Sequence, residues 1–138
     1  MTHDDILRFI NQNPVCHLAT LENGQPRVRS MFMYRADEQG LLFHTGAGKS
    51  LVRQVGNGAP VEVCFNSSDI QIRVSGVAEI VEDMKLKEEM VSARPFMQPW
   101  VKEHGYGLLA VIRVAQCAAT VWTLASNFEP TTYQKLQG

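Results

Sequence analysis

The segment Phe43 to Leu51, FHTGAGKSL, carries Gly48-Lys49-Ser50, the residues that close a phosphate-binding P-loop. Such a loop also needs a glycine five positions before Gly48, because its backbone amides must wrap the phosphates before the lysine reaches them; Phe43 stands there instead. No Gly-x-Gly-x-x-Gly follows a strand-like run, so Gly46 and Gly48 do not indicate dinucleotide binding. What the segment retains is two glycines, the hydroxyls of Thr45 and Ser50, and the Lys49 cation at a helix start, a set suited to a single phosphate. Upstream, strand alternation in PRVRSMFM points Arg27 and Arg29 to one face, continued by Met31 and Met33. Downstream, Lys49 and Arg53 are helical neighbours at a spacing of four. Each cation taken singly reads equally well as a solvated charge. Arginine sharing a strand face with methionine suits a cation beside an apolar surface, as a flat aromatic ligand with a phosphate tail would require.

The other chemistry-bearing residues are scattered. His3, His17, His44 and His104 show no metal-ligand spacing and there is no Cys-x-x-Cys, so no metal centre is expected. Cys16, Cys64 and Cys117 lie far apart in apolar strand-like runs, which predicts buried reduced thiols and argues against a Cys-His hydrolase. The proline-punctuated EEMVSARPFMQPW, with Phe96, Met97 and Trp100, reads either as a flap over a ligand cleft or as the apolar cover of a barrel end.

A single domain spanning 1–138 must position these residues, since 138 residues suffice for one compact core. A net charge of -1 gives no general attraction to nucleic acid, and neither a leader pattern nor an apolar run long enough for a membrane span occurs, so a cytoplasmic protein is expected. Thr2 and the acidic residues after it start a helix carrying Ile6, Leu7, Phe9 and Ile10; Pro14 follows its end. From Val15 the period becomes two: VCHLATL and PRVRSMFMY flank Asn23-Gly24 as a hairpin, and LLFHT is a third strand. KSLVRQV predicts a brief helix, PVEVCFN a strand, and IQIRVSGVAEIVE a long strand with a bulge or bend at Gly76. DMKLKEEMVSA predicts a helix, and GLLAVIRV and CAATVWTL two closing strands. Tight hairpins imply antiparallel pairing, so the chain reads as mainly β, a small barrel of six or seven strands with two or three short helices.

From about Val15 to Trp122 the order of these pieces resembles the FMN-binding split β-barrels of the pyridoxamine 5'-phosphate oxidase-like family. The resemblance rests on a Gly-Gln-Pro turn, an x-Arg strand, a Phe-x-Thr strand end, a phosphate-side helix and a Gln-x-x-x-x-Gly strand. It implies a six- to seven-stranded antiparallel split barrel, with FMN in the cleft between the subunits of a homodimer. By position, Arg29, Ser30, Met31 and Phe32 should follow the phosphate and the isoalloxazine ring, with His44 and Thr45 matching an aromatic-Thr pair whose threonine meets the phosphate. Gln71 resembles a glutamine that approaches the ring, from the other subunit, and Trp122 a tryptophan near the dimer cleft. Ser50-Leu51 stands where the vitamin enzymes have an Arg-Lys pair, so Lys49, with Arg53, is expected to supply that charge. Beyond Trp122 the substrate-handling Arg-x-His motif is missing, so the vitamin B6 reaction is not expected.

The resemblance thus implies an FMN-dependent oxidoreductase acting on a small molecule, with NADH or NADPH as candidate electron source and no catalytic side chain assigned. Gln71 and a backbone amide near Met31 are candidates for stabilising a reduced flavin. A non-catalytic flavin carrier or sensor, and a split barrel that holds haem, are the alternatives.

Overall fold

The computed structural model describes residues 1–136; the last two residues of the expected domain lie outside it. Helix α1 (His3–Gln12) opens on a capping box in which the Asp5 amide donates to Thr2 Oγ1 at 3.1 Å and the Thr2 amide to Asp5 Oδ2 at 2.9 Å. It buries Ile6 and Ile10 completely in the main core, and Asn11 ties it to the Ala36 backbone in both directions at 2.9 Å.

Strands β1 (Val15–Glu22) and β2 (Gln25–Phe32) form the expected hairpin. Asn23 and Gly24 both have positive φ, at 51° and 81°, as a two-residue turn between right-twisted strands requires. β3 (Arg35–Asp37) pairs with β4 (Gly40–Gly46), and α2 (Ser50–Val55) follows. Then come β5 (Ala59–Ser67), β6 (Ile70–Val81), α3 (Met84–Ala93), α4 (Gln98–His104), β7 (Leu109–Thr123) and β8 (Gln134–Lys135). The antiparallel sheet runs β2-β1-β5-β6-β7-β4-β3, with β8 added beside β7.

Four features depart from the sequence reading. GLLAVIRV and CAATVWTL are one fifteen-residue strand, β7, because Gln116 at φ 55° absorbs the irregularity without ending the ladder. The extra residue of the bulge belongs to β7: Ser75 pairs with Ala118 and Val77 with Ala115, leaving Gln116 and Cys117 opposite Gly76. α4 was not anticipated, since Pro95 and Pro99 read as helix breakers, whereas Pro99 sits in the first turn of α4, where a proline is tolerated. The short β3 and β8 carry no alternation to read and exist through pairing with β4 and β7.

Cross-strand register sorts the two faces of β4. Leu41 and Phe43 face Val114 and Ile112 in the main core, while Leu42, opposite Arg113, joins a second cluster with Leu86, Met90, Met97 and Val111 beneath α3 and α4. A strand covered on both faces explains its nearly unbroken apolar run.

Gly76 is a packing requirement. A Cβ there would stand 2.6 Å from Val114 Cγ1 and 2.7 Å from the Ala115 carbonyl oxygen, so Gly76→Ala is expected to cost about 1–3 kcal/mol by overpacking, measured by denaturant titration.

Candidate functional site

Where the ends of β2 and β4 meet the helical cover, a cleft of about 450 Å³ opens. Ser30, Met31 and Phe32 come from β2, and His44, Thr45 and Gly46 from the end of β4. Lys49 lines it from the turn before α2, Met97 and Trp100 from the α3–α4 segment, and Leu108 and Leu109 from the entry to β7. The volume is ordinary for a small-molecule site, and most of the lining is apolar.

Local backbone chemistry builds the turn that carries Lys49. The Ala47 amide donates to the Leu108 carbonyl at 2.7 Å and the Lys49 amide to that of Gly46 at 3.1 Å, turning the chain from β4 into α2. The Lys49 side chain has no hydrogen bond or ion pair among the described residues. Thr45 is buried, and its hydroxyl likewise lacks a described partner.

The unforeseen member of the site is Arg94, at the C-terminal end of α3. Its guanidinium donates to the Phe32 carbonyl at 2.9 Å and to that of Met33 at 2.7 Å, lies 3.8 Å from the Phe32 ring centroid, and reaches His44 Nε2 at 2.7 Å. Burial first, and then this cation, push the His44 pKa down to about 4, so the imidazole is neutral at pH 7. Phe96 lies tilted at 6.5 Å from the His44 ring, and Trp100 meets Phe96 edge-on at 6.0 Å. In the EEMVSARPFMQPW segment Met97 is buried and Trp100 exposed, and both line the cleft. An arginine that contacts residues fifty or more positions away has no local sequence signal. Its only hint is a cation just before the proline that ends a helix.

Six of the eleven residues expected from the sequence thus line one cleft: Ser30, Met31, Phe32, His44, Thr45 and Lys49. The other five lie outside its lining. Arg29 donates to the Leu18 carbonyl at 3.1 Å, Thr20 Oγ1 at 2.8 Å and Gln54 Oε1 at 2.6 Å, so three acceptors occupy its guanidinium. Arg53 donates to the Gly48 carbonyl at 3.1 Å and borders a separate hollow with Glu22 and Gln54. Ser50 is exposed at the start of α2. Gln71 and Trp122 are cross-strand partners on β6 and β7 beside a second, smaller hollow of about 200 Å³, where the indole donates to Asn127 Oδ1 at 2.9 Å.

Among the described residues no three His, Cys, Asp or Glu side chains gather as a metal site, and no helix is long and apolar enough to cross a membrane. None of the three cysteines forms a disulfide among the described residues; burial pushes the thiols of Cys16 and Cys117 up to about 12 and about 11, well above a nucleophile's range. Cys64 departs from the expected burial. Strand alternation places it partly exposed on the outer face, opposite His17 and Arg73.

A sequence profile for the family described as pyridoxamine 5'-phosphate oxidase matches residues 2–121. A pyridoxine/pyridoxamine 5'-phosphate oxidase from Shewanella pealeana is 37% identical over 60 residues, which is 42% of this chain but only 28% of that relative's length. A NimC/NimA family protein from Clostridium acetobutylicum superposes with a TM-score of 0.76 at 21% identity, over 96% of this chain and 92% of that one. The general stress protein 26 of Bacillus anthracis str. Sterne gives 0.69 at 18%, over 96% and 97%. The FAD and heme binding protein of Mycobacterium smegmatis gives 0.67 at 12%, over 97% and 82%. At these identities the superpositions establish the fold, an antiparallel split barrel.

The depressed pKa of His44 links folding to pH. Its imidazole takes up a proton in the unfolded chain near 6.5 but in the folded protein only near 4, so its contribution to stability is complete above 6.5 and lost as pH falls toward 4. Denaturant titrations across this window should show a shallower decline for His44→Phe than for the unaltered protein.

Proposed function

This chain belongs to the pyridoxamine 5'-phosphate oxidase family, and on that premise we propose that it is an FMN-binding oxidoreductase acting on a small molecule. The observation that carries the reading is the cleft itself: apolar and aromatic walls with one cation, Lys49, and the hydroxyls of Ser30 and Thr45, all without a hydrogen-bond partner among the described residues. That donor set suits a flat apolar ring bearing a phosphate.

Lys49 and Thr45 would hold the phosphate, with Ser30, Met31, Phe32 and the neutral His44 along the ring. FMN, when bound, supplies the redox chemistry, which relieves the protein of providing a nucleophile. The protein orients the ring, excludes water with Met97, Leu108 and Leu109, and leaves space for a substrate beside Trp100. NADH or NADPH is the proposed electron source. Arg29 supports the phosphate side indirectly, by bracing β1 and β2 against Gln54 of α2.

A homodimer completes the proposal. The outer face of the β1–β2 hairpin carries Val15, Leu21, Val28 and Phe32, between 48% and 70% exposed, and Phe32 also lines the cleft. Exposed apolar side chains grouped on one face favour burial against another protein surface, and pairing of chains is common in this family. The outer face continues across β5 to Gln71 and Trp122 by cross-strand register. Pairing through this face offers a route for the partner subunit's Gln71 and the partner subunit's Trp122 to reach the open side of the cleft.

The purified protein should show the two visible flavin bands and release FMN, at about one per chain, on denaturation. Lys49→Ala should weaken FMN by about 1.5–3 kcal/mol while leaving riboflavin, which lacks the phosphate, nearly unaffected. A colourless protein that takes up no added FMN would overturn the reading. Steady-state reduction by NADH or NADPH, followed by transfer to an acceptor, separates an oxidoreductase from a flavin carrier. In sedimentation, Val28→Glu should shift the protein from dimer to monomer and reduce bound FMN; a monomeric parent that retained FMN stoichiometrically would refute the shared cleft.

A further inference from the structure

We propose that Arg94 is a positioning residue that holds the His44 imidazole in its neutral Nδ1–H tautomer, so that the cleft presents a ring N–H donor to an acceptor edge of its ligand. A guanidinium can only donate hydrogen bonds. Arg94 Nη1 stands 2.7 Å from His44 Nε2, so that nitrogen accepts and the ring's single proton resides on Nδ1. No described residue accepts from Nδ1, and His44 lines the cleft. The donor is therefore left for the ligand.

Arg94 is itself held against rotation. The carbonyls of Phe32 and Met33 accept from its two Nη atoms, its guanidinium stacks on Phe32, and Tyr34 lies 5.3 Å away. The same group thus fixes the end of β2, which forms one wall of the cleft, and the protonation state of a residue on β4, which forms another. A lysine could not reproduce this arrangement, because a point-like ammonium lacks the planar fork that meets three acceptors together.

Other charged groups lie on the elements around His44. Lys49 lines the same cleft, and Arg113 shares the face of β7 that carries Val111, two positions along from it, with Val111 paired to His44. In α3, the carboxylate of Glu89 accepts from Tyr34 at 2.5 Å and Arg35 at 3.0 Å. Of these charges Arg94 is the one that acts on the ring, and burial first and then Arg94 oppose a charge there. The tautomer is a property of the free protein; only the identity of the ligand atom it meets rests on the flavin reading.

The test uses the full-length, ligand-free protein labelled with 15N, recording long-range proton–nitrogen correlations of the imidazoles from pH 8 downward. His44 is expected to show a protonated Nδ1 and an unprotonated Nε2, unchanged to about pH 5. In Arg94→Met, which removes the donors and the charge, the ring should populate both tautomers and titrate closer to the ordinary histidine range. Arg94→Lys keeps a donor and should retain the Nδ1–H form. An Nε2–H ring in the unaltered protein, or an unchanged tautomer in Arg94→Met, overturns the proposal. Should Arg94→Met fail to fold, the unaltered protein and Arg94→Lys still decide it.

The second arm titrates FMN into the unaltered protein and His44→Phe, which keeps a ring but loses the N–H. About tenfold weaker binding is expected for the variant. Equal affinity would refute the donor's role toward the ligand. If neither protein binds FMN, the flavin reading fails while the imidazole spectra still judge Arg94.

Discussion

The β6–β7 ladder is the constraint on which the rest of the molecule depends. β6 carries β5, and through it β1 and β2, on its far edge, whereas β7 carries β4 and β3 along its first half and β8 along its second. A fifteen-residue strand cannot stay straight while serving two such sets of neighbours. The bulge at Gln116–Cys117 provides the bend, and Gly76 provides the space for it. The turn after β4, the Lys49 loop and the helical cover all take their positions from strands paired to this ladder.

The cleft is correspondingly sparse in polar chemistry. The uncharged histidine, the hydroxyls of Ser30 and Thr45 and the Lys49 ammonium that line it lie among apolar and aromatic walls, and the cysteine thiols are held far from ionisation. Such a site is poorly equipped for nucleophilic or general-base catalysis. It is well suited to holding a cofactor that brings its own reactivity, with the protein acting through orientation, exclusion of water and a few placed donors.

Two kinds of contact serve the two ends of the site. Arg29 spends its donors within the barrel, locking β1 and β2 to α2 through Thr20 and Gln54, and so braces the Lys49 end of the cleft without lining it. Arg94 works across the other end, joining the end of β2 to β4 and α3. Both are arginines bonded to carbonyl, hydroxyl, amide or imidazole acceptors, with no carboxylate among their hydrogen-bond partners in the described residues. That allows a planar multidentate cation to be half-buried without a counter-ion.

Most strands, the capped first helix, the Asn23-Gly24 hairpin and the antiparallel, mainly β class were legible in the sequence, because period, caps and turn residues are local properties of the chain. The same holds for the cluster around His44, Thr45 and Lys49, which lies within six consecutive residues. Strand continuity through Gln116 was not legible, since a bulge and a strand end look alike without the partner strand. Nor was the choice among the arginines and lysines near the site. Alternation could place Arg29 on a face, but only the packed neighbours decide whether its guanidinium meets Gln54 or a ligand. Arg94 is the sharpest case: its contacts with Phe32, Met33 and His44 span fifty to sixty-two positions, and such pairings exist only once the sheet has closed and α3 has settled over it.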